Sequence, residues 1–79
     1  MKKSMKAANL LGLELHALCK VIRESEDHFF KSGTHCYFNG TVVLDPVNTS
    51  SSLYGMVGKI DGFLLVQWLE VTDFVIVKN

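Results

Sequence analysis

Turn-forming residues interrupt this chain every few positions from residue 28 onward, and their spacing is the strongest constraint on its fold. The runs between the turns are short, rich in Val, Phe, Tyr, Leu and Ile, and follow the period of two that is typical of strands. Asn39-Gly40 and Asp61-Gly62 suit two-residue hairpins, because both central residues of a type I′ turn need positive φ. We predict strands at 28–31, 34–38, 41–45, 53–60, 63–69 and 74–77.

Strands of this length in a chain of 79 residues are too short for a two-sheet sandwich of ordinary size. A small, strongly bent barrel is the expected way to close such a sheet. A single core of this size rarely supplies more than about 3 to 5 kcal/mol, so such chains usually depend on disulfides, a metal or association. We therefore expect one domain that gains stability from one of these three sources.

The chain before residue 24 follows a different period. From Met5 to Arg23 the apolar residues recur at helical spacing, and Ser4 is in position to cap the helix. We therefore predict a mainly β chain with one N-terminal helix (α+β). Residues 1–25 form the helix packed on the barrel, and residues 26–79 form a small five-stranded bent barrel.

Two apolar surfaces exceed what a single small domain can cover. The predicted helix carries a second apolar stripe, and the predicted strand 63–69 is apolar on both faces. We therefore expect a homo-oligomer, with binding of a different protein as the alternative. The candidate interface residues are Leu10, Leu13, Ala17, Val21, Phe63, Leu65, Gln67 and Leu69.

The charge balance disfavours nucleic acid as the partner. Eight Lys and Arg residues face eight Asp and Glu residues, whereas nucleic-acid-binding domains of this size are commonly basic. Charge is nevertheless segregated, since residues 1–23 contain five basic residues and one acidic residue, for a net charge of +4. Any phosphate contact is expected there, and the candidate residues are Lys2, Lys3, Lys6, Lys20 and Arg23.

The cysteine count and the N-terminal segment indicate a cytoplasmic protein with no membrane contact. Cys19 and Cys36 lie outside any CxxC pattern, and a secreted scaffold of this size usually carries four or more cysteines. Glu14 and His16 interrupt the apolar run that follows the N-terminal lysines, so this run does not match a signal peptide or a membrane span. We expect both thiols to be reduced.

Metal and catalytic chemistry find little support in the residue spacing. His16 and Cys19, with His35 and Cys36, are zinc-type ligands, but His35 and Cys36 point to opposite faces of their predicted strand. No nucleophile with a neighbouring base and oxyanion donors is recognisable. We expect no metal, no cofactor and no catalytic residues.

Residues 53–63 carry one family resemblance. The pattern Leu53-x-Gly55-x-Val57-x-x-Ile60-Asp61-x-Phe63 resembles the first motif of Sm-like proteins, and the strand order is similar to that of SH3-like barrels. The resemblance implies a helix followed by a bent five-stranded barrel, assembly into rings, and either RNA binding or the protein binding of Sm-like termination-factor inhibitors.

A second resemblance runs from Gly40 to the end. The strand layout is similar to that of plasmid-borne type II dihydrofolate reductases, with Val66-Gln67 at their Val-Gln-Ile-Tyr pore motif. Lys31-Ser32-Gly33 is similar to their Lys-Ser-Gly. The resemblance implies a tetramer around one pore, with Lys31 attracting anionic substrates and Gln67 binding cofactor and pterin.

Together these patterns predict a non-catalytic protein–protein interaction and assembly module that self-associates. An Sm-like RNA- or DNA-binding accessory protein that uses the basic N-terminal helix is one alternative. An oligomeric reductase-like enzyme is the other, and Gln67 would then line its ligand site.

Overall fold

The structure, a computed structural model, describes residues 7–48 and 50–77. It contains five strands, namely β1 (Leu18–Val21), β2 (His35–Leu44), β3 (Ser52–Ile60), β4 (Phe63–Leu69) and β5 (Phe74–Ile76), and a one-turn 3-10 helix at Val71–Asp73. All strand pairs are antiparallel and form one sheet in the order β4-β3-β2-β1-β5. The two edges of the sheet are therefore β4 and β5.

The predicted N-terminal helix is wrong. Within the described residues, the 3-10 turn is the only helical element, and β1 occupies the last part of the predicted helix. Gly12 and His16 both have φ near 65°, which is incompatible with a continuous right-handed helix. The amide of Asn9 accepts a hydrogen bond from the Leu13 N–H and donates one to the Leu13 carbonyl. This side chain thus stabilises a local loop, while residues 1–6 lie outside the described part of the chain.

Backbone pairing of the N-terminal segment with β2 explains why the helix predicted from the apolar spacing does not form. The Ala7 N–H donates to the Val42 carbonyl, His16 donates to Phe38, and Phe38 donates to Ala17. Most helical stability in proteins comes from tertiary packing, and tertiary context readily overrides helix propensity. The backbone bonds to an existing strand therefore replace the intrahelical ones.

The helix predicted at 1–25 is replaced, in its described part, by a loop and a strand of the sheet. β1 lies inside the sheet, between β2 and β5, and its side chains alternate between the core and solvent. Cys19 and Val21 are fully buried, whereas Lys20 is exposed. Leu18–Val21 is therefore an integral part of the β fold.

Two other strand predictions need correction. Residues 28–31 form no strand but belong to a loop, from which Phe30 inserts into the core. The predicted strands 34–38 and 41–45 are one strand, β2, with a register shift between Phe38 and Val42. Gly40, at φ 93°, lies in this bulge rather than in a hairpin turn.

The Asp61-Gly62 hairpin is confirmed. Both residues have positive φ, at 52° and 84°, and they join β3 to β4 as a two-residue turn. The pairing that follows runs without interruption from Ile60 and Phe63 to Tyr54 and Leu69. The hairpin therefore fixes which side chains of β4 face the core.

The core lies on one side of the curved sheet. It contains Leu13, Cys19, Val21, Phe30, Cys36, Phe38, Val42, Tyr54, Met56, Leu69 and Phe74. Tyr54 contacts Phe38 and Phe74, with ring centroids 6.0 and 5.7 Å apart. Aromatic side chains from β2, β3 and β5 therefore meet in the centre of the fold.

Candidate functional site

The β4 edge is the most unusual surface of the molecule. β4 pairs with β3 along all seven of its residues, and nothing in the described chain pairs with its other edge. Its sequence, Phe-Leu-Leu-Val-Gln-Trp-Leu, contains no charged residue and no proline, and its pairing with β3 has no bulge. Natural edge strands usually carry one of these features to prevent unwanted pairing.

The first half of β4 is also apolar and exposed on both faces. Phe63 is 70% exposed, Leu64 66%, Leu65 44% and Val66 46%. Leu65 and Phe63 point toward the core side of the sheet, since they pair with Gly58 and Ile60, but the core does not extend far enough to cover them. The β3–β4 hairpin thus projects beyond the packed part of the fold.

The predicted interface residues divide into two groups. Leu13, Val21 and Leu69 are buried in the core of the chain itself, and Ala17 packs against that core, so these four residues are not available to a partner. The exposed members and the half-buried Gln67 remain candidates, and they are Leu10, Phe63, Leu65 and Gln67. The prediction omitted Leu64 and Val66. The sequence signal for them is the run 63–66, which is apolar at every position.

Gln67 connects β4 to the loop that precedes β2. Its amide oxygen accepts a hydrogen bond of 3.0 Å from the Phe29 N–H, and its amide nitrogen donates to the Val66 carbonyl. The side chain of Phe29 itself is 77% exposed. Both polar atoms of the Gln67 amide therefore have partners within the chain. Lys31 lines a groove of about 400 Å³ together with Phe29, Lys59 and Asp61.

The other side of the sheet, the outer face, carries a concentration of basic residues. Lys20 pairs with His35, and the register that joins Cys36 to Gly58 places His35 opposite Lys59. These three exposed residues form a basic row across three strands. No acidic residue occupies an outward position on the five strands, whose outward residues include Leu18, Lys20, His35, Tyr37, Asn39, Val43, Leu53, Gly55, Val57, Lys59, Leu64, Val66, Trp68 and Val75.

A groove lies beside the basic row. Its volume is about 360 Å³, and it is lined by His16, Tyr37, Phe38, Asn39 and Val57. Tyr37 is 50% exposed. Asn39 lies over Gly55 because that glycine has no Cβ, and its amide oxygen accepts the Thr41 N–H at 2.9 Å. The amide nitrogen of Asn39 remains as a donor next to the groove.

Arg23 does not belong to this basic surface. Its guanidinium contacts Asp73 Oδ1 through Nε and Nη2, each at 2.8 Å, and the Asp73 carboxylate is fully buried. Asp73 Oδ2 also accepts the Glu70 N–H at 3.1 Å. Arg23 therefore connects β1 to the 3-10 turn. Of the predicted phosphate-contacting residues, Lys20 lies on the outer face, and Lys2, Lys3 and Lys6 lie outside the described residues.

Three carboxylates come together where β2 and β4 end. One oxygen each from Asp27, Asp45 and Glu70 lies within 4.8 Å of the others. Asp45 Oδ1 accepts the backbone N–H groups of Val47 and Asn48, so it shapes its own loop. Hydrogen bonding to the Asp27 side chain, followed by burial and neighbouring negative charge, raises the pKa of Glu70.

The cysteine and histidine side chains considered as zinc ligands are separated by the sheet. Cys19 and Cys36 are direct partners across β1 and β2, and both are fully buried free thiols. His16 and His35 are exposed. Burial, with the neighbouring Cys19 sulfur, raises the pKa of Cys36 to about 12. These thiols are therefore core residues in contact with each other.

Comparisons with protein-family models, with curated proteins and with solved structures found no match. Residues 7–48 and 50–77 include no helix that is long and apolar enough to cross a membrane.

Proposed function

We propose that this chain is a non-catalytic assembly module that self-associates through the β4 edge. The observation that carries the proposal is a seven-residue edge strand that has no charge and is exposed and apolar on both faces over its first four residues. Such a strand offers a partner both backbone hydrogen bonds and apolar contacts.

The fold supports an SH3-like barrel assignment for this module. The strand order β4-β3-β2-β1-β5 and the 3-10 turn before the last strand fit the layout of such barrels. Barrels of this kind serve many unrelated binding functions, so the partner has to be inferred from the surface and not from the fold.

A second copy of the chain is the partner that fits the β4 edge best. Paired antiparallel about a two-fold axis, two β4 strands have equal length and bring no like charges together. The opposite edge, β5, has only three residues, of which Phe74 is buried. β4 therefore matches another β4 better than it matches β5, and a symmetric dimer is the expected assembly.

The pair Leu65→Lys and Val75→Lys tests this proposal. Both residues are 44% exposed, but Leu65 lies on β4 and Val75 lies on the other edge. Molar mass would be measured by sedimentation velocity and by light scattering after size exclusion. The chain concentration would range from about 1 to 100 μM, so that a dimer with a micromolar dissociation constant is detected. The natural chain and Val75→Lys should reach twice the chain mass of 8.8 kDa. Leu65→Lys should remain at the chain mass.

Three results would contradict the proposal. A natural chain that keeps the mass of one copy at the highest concentration rules out self-association. Loss of assembly in both variants, or a mass above two copies, indicates head-to-tail contact between unlike edges instead of a symmetric β4 dimer. Far-UV circular dichroism of each variant verifies that the added lysine leaves the sheet folded.

A further inference from the structure

We infer that the outer face of the sheet binds single-stranded nucleic acid, with the basic row at the phosphates and the groove beside Tyr37 holding a base. The basic row is Lys20, His35 and Lys59, which lie on β1, β2 and β3. The inference does not depend on a second copy of the chain, because all of these residues lie on strands other than β4.

The basic row holds two lysines, Lys20 and Lys59, one on each side of His35. Neither lysine forms a salt bridge within residues 7–48 and 50–77. The acidic residue nearest to Lys59 along β3 is Asp61, in the β3–β4 turn, and it lines one groove together with Lys31 and Lys59. An anionic strand that crosses β1, β2 and β3 at this row would contact both ammonium groups.

The groove supplies the second element of a nucleic-acid site. Tyr37 follows His35 on the same face of β2, so a ligand can contact the basic row and the Tyr37 ring at once. A half-exposed aromatic ring is a stacking surface for a base of any identity. The Asn39 amide nitrogen and the His16 ring border the same groove of about 360 Å³, and both can hydrogen-bond a base edge.

Single-stranded nucleic acid fits this surface better than an acidic peptide does. An acidic peptide would use the basic row but has no general requirement for an aromatic ring beside it. A single strand combines regularly spaced phosphates with flat bases, and sites for it combine basic grooves with aromatic side chains. The outer face has this combination in the sequence His35-x-Tyr37-x-Asn39 along one strand.

Fluorescence anisotropy with a labelled oligothymidine tests the inference. Titrations at several salt concentrations would compare the natural chain with Lys20→Gln/Lys59→Gln, Lys20→Arg/Lys59→Arg and Tyr37→Leu. Each phosphate contact contributes about −0.7 to the slope of log K against log salt for single strands. The glutamine double variant should reduce the slope by about 1.4 and weaken binding roughly 10- to 100-fold at 50 mM salt. The arginine variant should retain the slope.

Tyr37→Leu separates stacking from charge. It should weaken binding severalfold and leave the salt slope unchanged, since it removes a ring and no charge. Unfolding midpoints in urea control for a loss of fold in every variant. The inference is overturned if the natural chain shows no saturable binding at 50 mM salt, or if the glutamine variant binds equally, as it would if Lys2, Lys3 and Lys6 held the phosphates. Displacement by polyglutamate with no effect of Tyr37→Leu assigns the surface to acidic protein and also overturns it.

Discussion

The contact between Phe30 and Gly58 leads to a quantitative prediction about packing. Phe30 is 1% exposed and lies against β3 at Gly58. A Cβ at Gly58 would lie 3.0 Å from Phe30 Cζ, 3.1 Å from Phe30 Cε1 and 3.2 Å from Cys36 Cβ. Optimal carbon contacts are about 3.5 to 4.0 Å, so the ring must move by roughly 0.5 to 1 Å to accept the methyl group.

The expected cost of Gly58→Ala follows from two opposing effects. Overpacking a core costs about 1 to 3 kcal/mol. Replacing glycine in a strand returns about 0.5 to 1 kcal/mol, because alanine loses less backbone freedom on folding. We therefore expect a net loss of about 1 to 2 kcal/mol, which corresponds to a melting temperature roughly 4 to 16 °C lower for a domain of this size.

The double variant Phe30→Leu/Gly58→Ala tests whether the ring causes this loss. Phe30→Leu alone should cost about 1 to 2 kcal/mol, less than truncation to alanine. It removes the ring atoms nearest Gly58, so the double variant should be about 1 kcal/mol more stable than the sum of the single effects predicts. Urea unfolding followed by the fluorescence of Trp68, the single tryptophan, measures all four free energies. Additive effects, or a Gly58→Ala variant as stable as the natural chain, would refute the packing argument.

Two further predictions concern buried polar groups. The pKa of Cys36 is raised to about 12 in the folded chain, whereas the pKa of an unfolded thiol is about 8.5. Above the unfolded pKa the unfolded chain loses the Cys36 proton and the folded chain keeps it. The free energy of unfolding is therefore unaffected below the unfolded pKa and falls as the pH rises from there toward the folded pKa. Urea unfolding at pH 7 and pH 10 should show this loss in the natural chain and a smaller loss in Cys36→Ala. Asp73→Asn should cost about 1.5 to 3 kcal/mol, because the buried carboxylate binds both Arg23 and a backbone N–H. Arg23→Gln should cost about 1 kcal/mol or less, since Arg23 is half-exposed and solvent screens its charge; equal losses in the same urea assay would contradict this order.

The C-terminal half of the fold was predictable because its signals are local. Asp61-Gly62 requires positive φ at two successive residues, and this requirement fixes the hairpin independently of the remaining chain. The predicted strands 53–60 and 63–69 therefore agree with β3 and β4 to within one residue. The exposed apolar residues on β4 could also be identified from a run with no polar alternation.

The N-terminal half was not predictable because its structure depends on distant partners. The apolar residues at 5–23 do recur at helical spacing. This spacing shows which residues would share a face of a helix, but it does not show that a helix forms. β1 forms because β2 and β5 supply backbone partners on both of its sides. Asn39-Gly40 is ambiguous in the same way, since positive φ at Gly40 serves a bulge as well as a turn.

The sequence by itself determined the Asp61-Gly62 turn, the strands β3 and β4 that it joins, and an excess of apolar residues, because each follows from neighbouring residues. The tertiary structure alone decided which of these apolar residues the core covers and how the charges are arranged. Sequence order separates a basic segment from an acidic one, yet Arg23 is held by Asp73, and Lys20 lies in a row with His35 and Lys59. Antiparallel pairing causes this rearrangement, because it makes neighbours of residues as far apart in the chain as Cys19 and Ile76 and places alternate side chains on opposite faces.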